Sequence, residues 1–156
     1  MSTILNSDCH LIVLAGSYTW PPFRANISVI KKLINRYGAD SRFIGVYIEV
    51  AYAKDEWPIS ESPRAFRQHR NLRERMLACR TLMKAYNVGI PFYVDGMGNN
   101  FNAFRFWVLS RDSVELKAMP VNSCIGFKDL ERFLANMVLQ KRWANDWNFE
   151  NDGSIA

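Results

Sequence analysis

Two short apolar runs with a helix-length segment between them constrain this chain more than any other feature. The first, HLIVLA at residues 10–15, is closed by Gly16-Ser17, and the second, RFIGVYIEVAY at 42–52, is apolar on both faces. A short apolar run bounded by turn residues reads as a buried strand, and apolarity on both faces marks a central parallel strand. Between them Phe23, Ile27, Ile30, Ile34 and Tyr37 recur at alternating steps of four and three, which predicts an amphipathic helix. Pro22 suits its first turn and Gly38 its C-terminal stop. Strand, helix and strand in that order make a right-handed βαβ unit.

The next segment, AKDEWPISESPRAFRQHRN at 53–71, is long for a connection between a strand and a helix. Long connections of this kind are functional or disordered, and Trp57, Phe66 and His69 within it favour order. Asn71 and Glu74 form a capping box with Asn in place of Ser or Thr. The helix behind it carries Leu72, Met76, Cys79, Met83 and Tyr86 on one stripe, and Asn87 and Gly89 end it. Residues 92–95 and 104–110 read as a hairpin, 113–119 as an antiparallel edge strand, and 126–140 as a last helix. The expectation is an α/β domain over 1–142, a central mixed sheet flanked by helices, and a loosely ordered polar tail over 143–156.

At 156 residues and 49 % hydrophobic composition the chain can bury one core. A net charge of +5 is compatible with an anionic partner, yet no basic run, zinc knuckle or RNP motif accompanies it, so nucleic acid is not expected. Residues 1–16 have no basic leader and no membrane-length apolar stretch, which makes a cytoplasmic location the expectation. Three widely spaced cysteines and two histidines supply neither a disulfide framework nor a metal site. No cofactor is expected.

Five motifs then narrow the reading: GSYTWPPF, VYIEVAYAKDEW, QHR, VDGM and FRFWVLS. In this order and at these spacings they resemble the iodothyronine deiodinase family and its bacterial relatives over roughly residues 10–140. The resemblance implies a thioredoxin-like fold in which 53–71 is the insertion that sets deiodinases apart. It also implies a reductive removal of iodine from an aromatic iodothyronine by a selenocysteine or cysteine. Gly16, Ser17, Thr19, Pro21, Pro22 and Phe23 match the loop that carries this nucleophile, and Trp20 stands at its position. Tyr18 stands where an assisting cysteine is often found, and Tyr52 where a second histidine is usual. By the same resemblance Glu49 is the acidic residue at the end of the second strand and His69 serves substrate binding and proton delivery. Arg105 would hold a substrate carboxylate. Pro91 would be the cis-proline beside the loop, and Ser17, Tyr18 and Thr19 would line the substrate site.

An indole cannot become a nucleophilic anion near neutral pH, and its N–H only donates. Two accounts of Trp20 stand side by side. In one, the pocket has lost its redox atom and binds a small aromatic or acidic molecule, with His69, Glu49 and Tyr52 free for acid–base chemistry without net redox change. In the other, a UGA codon for selenocysteine is read as Trp, and the protein is a reductive dehalogenase or peroxide reductase. A third reading is a non-enzymatic binding protein or dimeric scaffold, with Trp20, Trp57, Trp143 and Trp147 as interface aromatics. Cys124, in the loop before the last helix, is a candidate displaced thiol.

Overall fold

The computed structural model describes residues 9–59, 66–99, 105–109, 117–120, 130–136 and 139, with side chains for all of these except 105–109 and 117–120. The apolar run forms β1 (His10–Gly16), and the helical segment divides into α1 (Pro21–Ala25) and α2 (Ile27–Tyr37). The break falls at Asn26, whose side-chain Nδ2 donates to the Pro22 carbonyl at 2.7 Å. Then come β2 (Ser41–Tyr47), α3 (Leu72–Tyr86), β3 (Phe92–Val94), β4 (Arg105–Leu109) and β5 (Lys117–Pro120). Residues 130–136 are helical, and they form α4.

The strands make one mixed sheet in the order β3-β2-β1-β4-β5. β1 and β2 are parallel, from His10 opposite Ser41 to Gly16 opposite Tyr47. Alternation along the pleat divides their side chains between two clusters. Ile12, Leu14, Phe43 and Tyr47 join Ile27, Ile30 and Leu33 of α2, Cys79 and Leu82 of α3, and Leu130 and Leu134 of α4. Leu11, Val13, Ala15, Ile44, Val46 and Ile48 form a separate cluster on the other face. Two glycines allow close approach. A Cβ on Gly16 would meet the Phe23 ring at 2.3 Å, and one on Gly45 would meet the Phe92 ring at 2.4 Å.

Three expectations change. The hairpin of 92–95 with 104–110 does not form: β3 pairs with β2 in parallel at one edge, whereas β4 pairs antiparallel with β1. The crossover through α3 carries the chain outward past β2, in the sense that a right-handed connection dictates. Antiparallel pairing instead joins β4 to β5.

Pro91 is therefore not beside the loop after β1. It is exposed, lies on the far side of β2, and every described peptide bond is trans. The trans form is intrinsically favoured by about 0.5–1 kcal/mol, and the Pro91 carbonyl accepts the Gly45 N–H at 2.9 Å in that state.

The buried stripe of α3 is also rotated. Arg75, Ala78, Cys79 and Leu82 face inward, while Leu72, Met76 and Met83 are exposed. Periodicity alone puts methionines inside and arginine outside. Here the guanidinium finds backbone acceptors in the interior and turns the helix toward itself. The C-terminal tail, Cys124, Trp143 and Trp147 lie outside the described residues.

Candidate functional site

β1 delivers residues 17–20 to the C-terminal end of the parallel strands, where α/β sheets place ligands. The loop is packed inside. Ser17 and Thr19 are fully buried, and Tyr18 and Trp20 are each 7 % exposed. The Ser17 carbonyl accepts the Trp20 N–H at 3.3 Å, and Ser17 Oγ accepts the Ala51 N–H at 3.3 Å. The Tyr18 N–H donates to the Tyr47 hydroxyl at 3.3 Å. Thr19 Oγ1 is buried without a hydrogen-bond partner. The Trp20 indole belongs to the main core cluster with Tyr18, Phe23 and Tyr47. Pro21 and Pro22 occupy the first positions of α1, so the helix start lacks two N–H donors that could hold an anion at position 20.

The insertion returns to this loop at Phe66. The Phe66 ring meets Tyr18 edge-on at 5.6 Å, and Tyr18 also meets Tyr86 at 5.9 Å. His69 packs 6.1 Å from Tyr47 and 6.4 Å from Phe66. Tyr18, Tyr47 and Phe66 thus connect the loop to the histidine. The segment is strapped down by Gln68. Its Oε1 accepts the Val50 N–H at 3.2 Å, its Nε2 donates to the Val50 carbonyl at 3.4 Å and to Glu56 Oε2 at 3.3 Å, and its N–H donates to Asp55 Oδ1 at 2.8 Å. At the start of α3, Asn71 Oδ1 accepts the Glu74 N–H at 3.0 Å, and Glu74 Oε2 accepts the Arg70 N–H at 2.9 Å. The capping box forms with its return bond displaced by one residue.

A cleft of about 310 Å³ opens beside this helix start. Phe66 and Leu77 supply apolar wall, Arg67, Arg70 and Glu74 supply charge, and His69 lines it. His69 is 7 % exposed, and both ring nitrogens are buried without a hydrogen-bond partner. Each unpaired buried polar group costs about 1–3 kcal/mol, so such groups call for a functional account. Burial pushes the imidazole down from 6.5 to about 4; the Arg75 cation acts in the same direction and Glu74 opposes it. The ring is neutral at pH 7, one nitrogen a donor and the other an acceptor.

The other candidates are dispersed. Glu49 follows β2 by two residues and does not orient His69; its Oε2 accepts the Asn99 Nδ2–H at 2.7 Å. Tyr52 is 40 % exposed, at a φ of 57°. Arg105 opens β4, and because Phe106 pairs with Leu14 it lies at the end of the sheet where β1 runs into the loop. Cys79 is buried, and desolvation pushes its thiol up to about 11. Among the described residues no group of histidine, cysteine and carboxylate side chains could hold a metal, and no helix is long and apolar enough to cross a membrane.

The family model of iodothyronine deiodinase matches residues 3–116. The chain belongs to the iodothyronine deiodinase family. Thyroxine 5-deiodinases of Rattus norvegicus and Homo sapiens are each 37 % identical to it over 90 residues, 58 % of this chain and 29 % of theirs. Type I iodothyronine deiodinase of Xenopus laevis is 33 % identical over 89 residues, 57 % of this chain and 34 % of its own. The matched stretch thus spans about a third or less of these relatives. The solution structure of a thioredoxin-like protein in the oxidized form superimposes with a TM-score of 0.58 at 11 % identity, covering 86 % of this chain and 80 % of the other. That likeness shows a thioredoxin-like fold. Sequence reasoning missed Arg75, Asn99 and the strapping role of Gln68. Only QHR pointed toward any of them.

Proposed function

We propose that this deiodinase-family protein binds a small aromatic or acidic molecule in the cleft beside His69, without a redox nucleophile at position 20. The observation that carries this reading is His69 itself, buried in the cleft wall with both nitrogens unpartnered. With the wall drawn back to expose a nitrogen, a ligand hydroxyl or carboxyl would satisfy it. Phe66 and Leu77 suit an aromatic body, and Arg67 and Arg70 suit a negative charge. With a pKa of about 4, His69 is protonated in about one molecule in a thousand at pH 7, so it acts as a neutral hydrogen-bonding group before it acts as a general acid. Glu49 and Tyr52 contribute as separate groups at the same end of the sheet, not as its relay. Arg105, at the start of β4, remains a candidate for a ligand carboxylate.

Calorimetric titration with thyroxine and with 4-hydroxyphenylacetate tests this. Binding of either, weakened about tenfold or more by His69→Ala, is expected; equal binding by the two proteins removes His69 from the site.

The deiodinase activity for which its relatives are named favours a second reading. A selenol or thiol at position 20 would take the iodine of an aromatic carbon, a proton would replace it there, and an external thiol would release iodide. The codon at position 20 separates the two readings, since TGA with a selenocysteine insertion element supports the second. Thiol-dependent iodide release by Trp20→Cys, absent from the Trp20 protein, would show that the frame retains that chemistry. Iodide release by the Trp20 protein itself would refute the first reading.

A further inference from the structure

The least expected side chain in the core is Arg75. It is 1 % exposed and shares the inner face of α3 with Ala78, Cys79 and Leu82. Taking an ion out of water costs several kcal/mol unless partners replace the solvent. They do so here. Nη1 donates to the carbonyl oxygens of Asp95 at 3.1 Å and Gly96 at 2.7 Å, and Nη2 donates to Asn99 Oδ1 at 2.8 Å. The Asn99 amide then passes the contact on, donating through Nδ2 to Glu49 Oε2 at 2.7 Å.

Three separate segments meet through this one side chain: the first turn of α3, the turn after β3, and the residues after β2. The turn closes with the Asn99 N–H on the Gly96 carbonyl at 3.0 Å, and Asn99 holds a φ of 51°, a conformation that asparagine tolerates better than most residues. A lysine could not replace the arginine, because an ammonium has no rigid fork to reach the Asp95, Gly96 and Asn99 acceptors together.

We propose that Arg75 is a positioning residue: its guanidinium fixes the turn at 95–99 and, through Asn99, holds the Glu49 carboxylate by Oε2 just after β2. The same cation also acts by its charge on His69. The charged groups acting on that ring are Arg75 and Glu74, both from α3, while β2 and the insertion present the rings of Tyr47 and Phe66. Arg75 therefore acts twice, by geometry on Glu49 and by charge on His69.

Three variants separate these actions without any ligand. Arg75→Met removes fork and charge, Arg75→Lys keeps the charge alone, and Asn99→Gly keeps the positive φ while removing the amide. The readouts are the carboxyl 13C resonance of Glu49, amide hydrogen exchange at 95–99, and the NMR titration of His69 with His10 as internal reference. In Arg75→Met the Glu49 resonance moves, exchange at 95–99 rises about tenfold or more, and His69 titrates at higher pH. In Arg75→Lys the first two change and His69 holds its titration. In Asn99→Gly the Glu49 resonance moves and His69 stays. An unmoved Glu49 resonance in both Arg75→Lys and Asn99→Gly overturns the proposal, whether or not Arg75→Met folds. Loss of ligand binding with these readouts intact would count against the ligand site alone.

Discussion

His69 should make the stability of this protein depend on pH in a window where few other groups titrate. In the folded state its pKa lies at about 4, against 6.5 for the free side chain. Above pH 6.5 the ring is neutral in both states, and the stability that comes from keeping it neutral is fully present. As pH falls below 6.5 the unfolded chain takes up a proton that the folded protein refuses. The stability declines until about pH 4, where the folded ring also protonates. At about 1.36 kcal/mol per pH unit, that window corresponds to about 3 kcal/mol. Urea denaturation at pH 7, 6, 5 and 4 for the wild type and His69→Phe measures it, because carboxylates common to both proteins cancel in the difference. With a urea slope of about 1–3 kcal/mol/M, the wild-type midpoint should lose about 1–3 M more than that of the variant. Curves that run parallel within about 0.5 kcal/mol from pH 7 to pH 4 would refute a desolvated, unpartnered imidazole.

Gly16→Ala should destabilise by about 1–3 kcal/mol, since its Cβ would fall 2.3 Å from the Phe23 ring; chemical denaturation reads this, and a neutral result would mean that α1 moves freely on β1. Cys79 should resist iodoacetamide at pH 7.5 until the protein unfolds, because its thiol is buried and pushed up to about 11; peptide mapping of the native protein checks it against half-buried Cys9. Arg36→Ala should change stability by about 0.5 kcal/mol or less, because its 3.1 Å ion pair with Glu131 lies in solvent; a loss above about 1 kcal/mol would show that the pair anchors α4 to α2.

Local signals in the sequence were enough for elements whose cause is local. β1, β2 and the capping box at Asn71 follow from apolar runs and cap chemistry, and the inward residues Phe23, Ile27, Ile30 and Tyr37 follow from their spacing. On α3 the same spacing argument placed Cys79 inside but missed Arg75, because hydrophobicity cannot anticipate that its guanidinium will find the Asp95 and Gly96 carbonyls some twenty residues away. The hairpin expectation failed because two nearby strands invite pairing, although a helical crossover ahead of the first one favours an outward parallel position. QHR marked the region of the cleft, but the division of labour within it is tertiary. Gln68 is a strap on the 50s loop, His69 lines the cleft, and Arg70 lends its backbone to a helix cap. Trp20 was legible as an expectation, at the position that the resemblance gives to the nucleophile. Its placement within the core cluster was not.

The position of β3 has one further consequence. Among the described residues it is the outermost strand on its side of the sheet, and an unpaired edge is where sheets recruit foreign strands and begin to aggregate. This edge is only three residues long, and Pro91, which lacks an N–H, stands immediately before it. A docking chain would find too short a ladder to extend. The Phe92 ring folded over Gly45 keeps the strand attached to its own sheet. The proline that the family pattern suggested for the site thus stands at the opposite margin, where its carbonyl ties the start of β3 to Gly45.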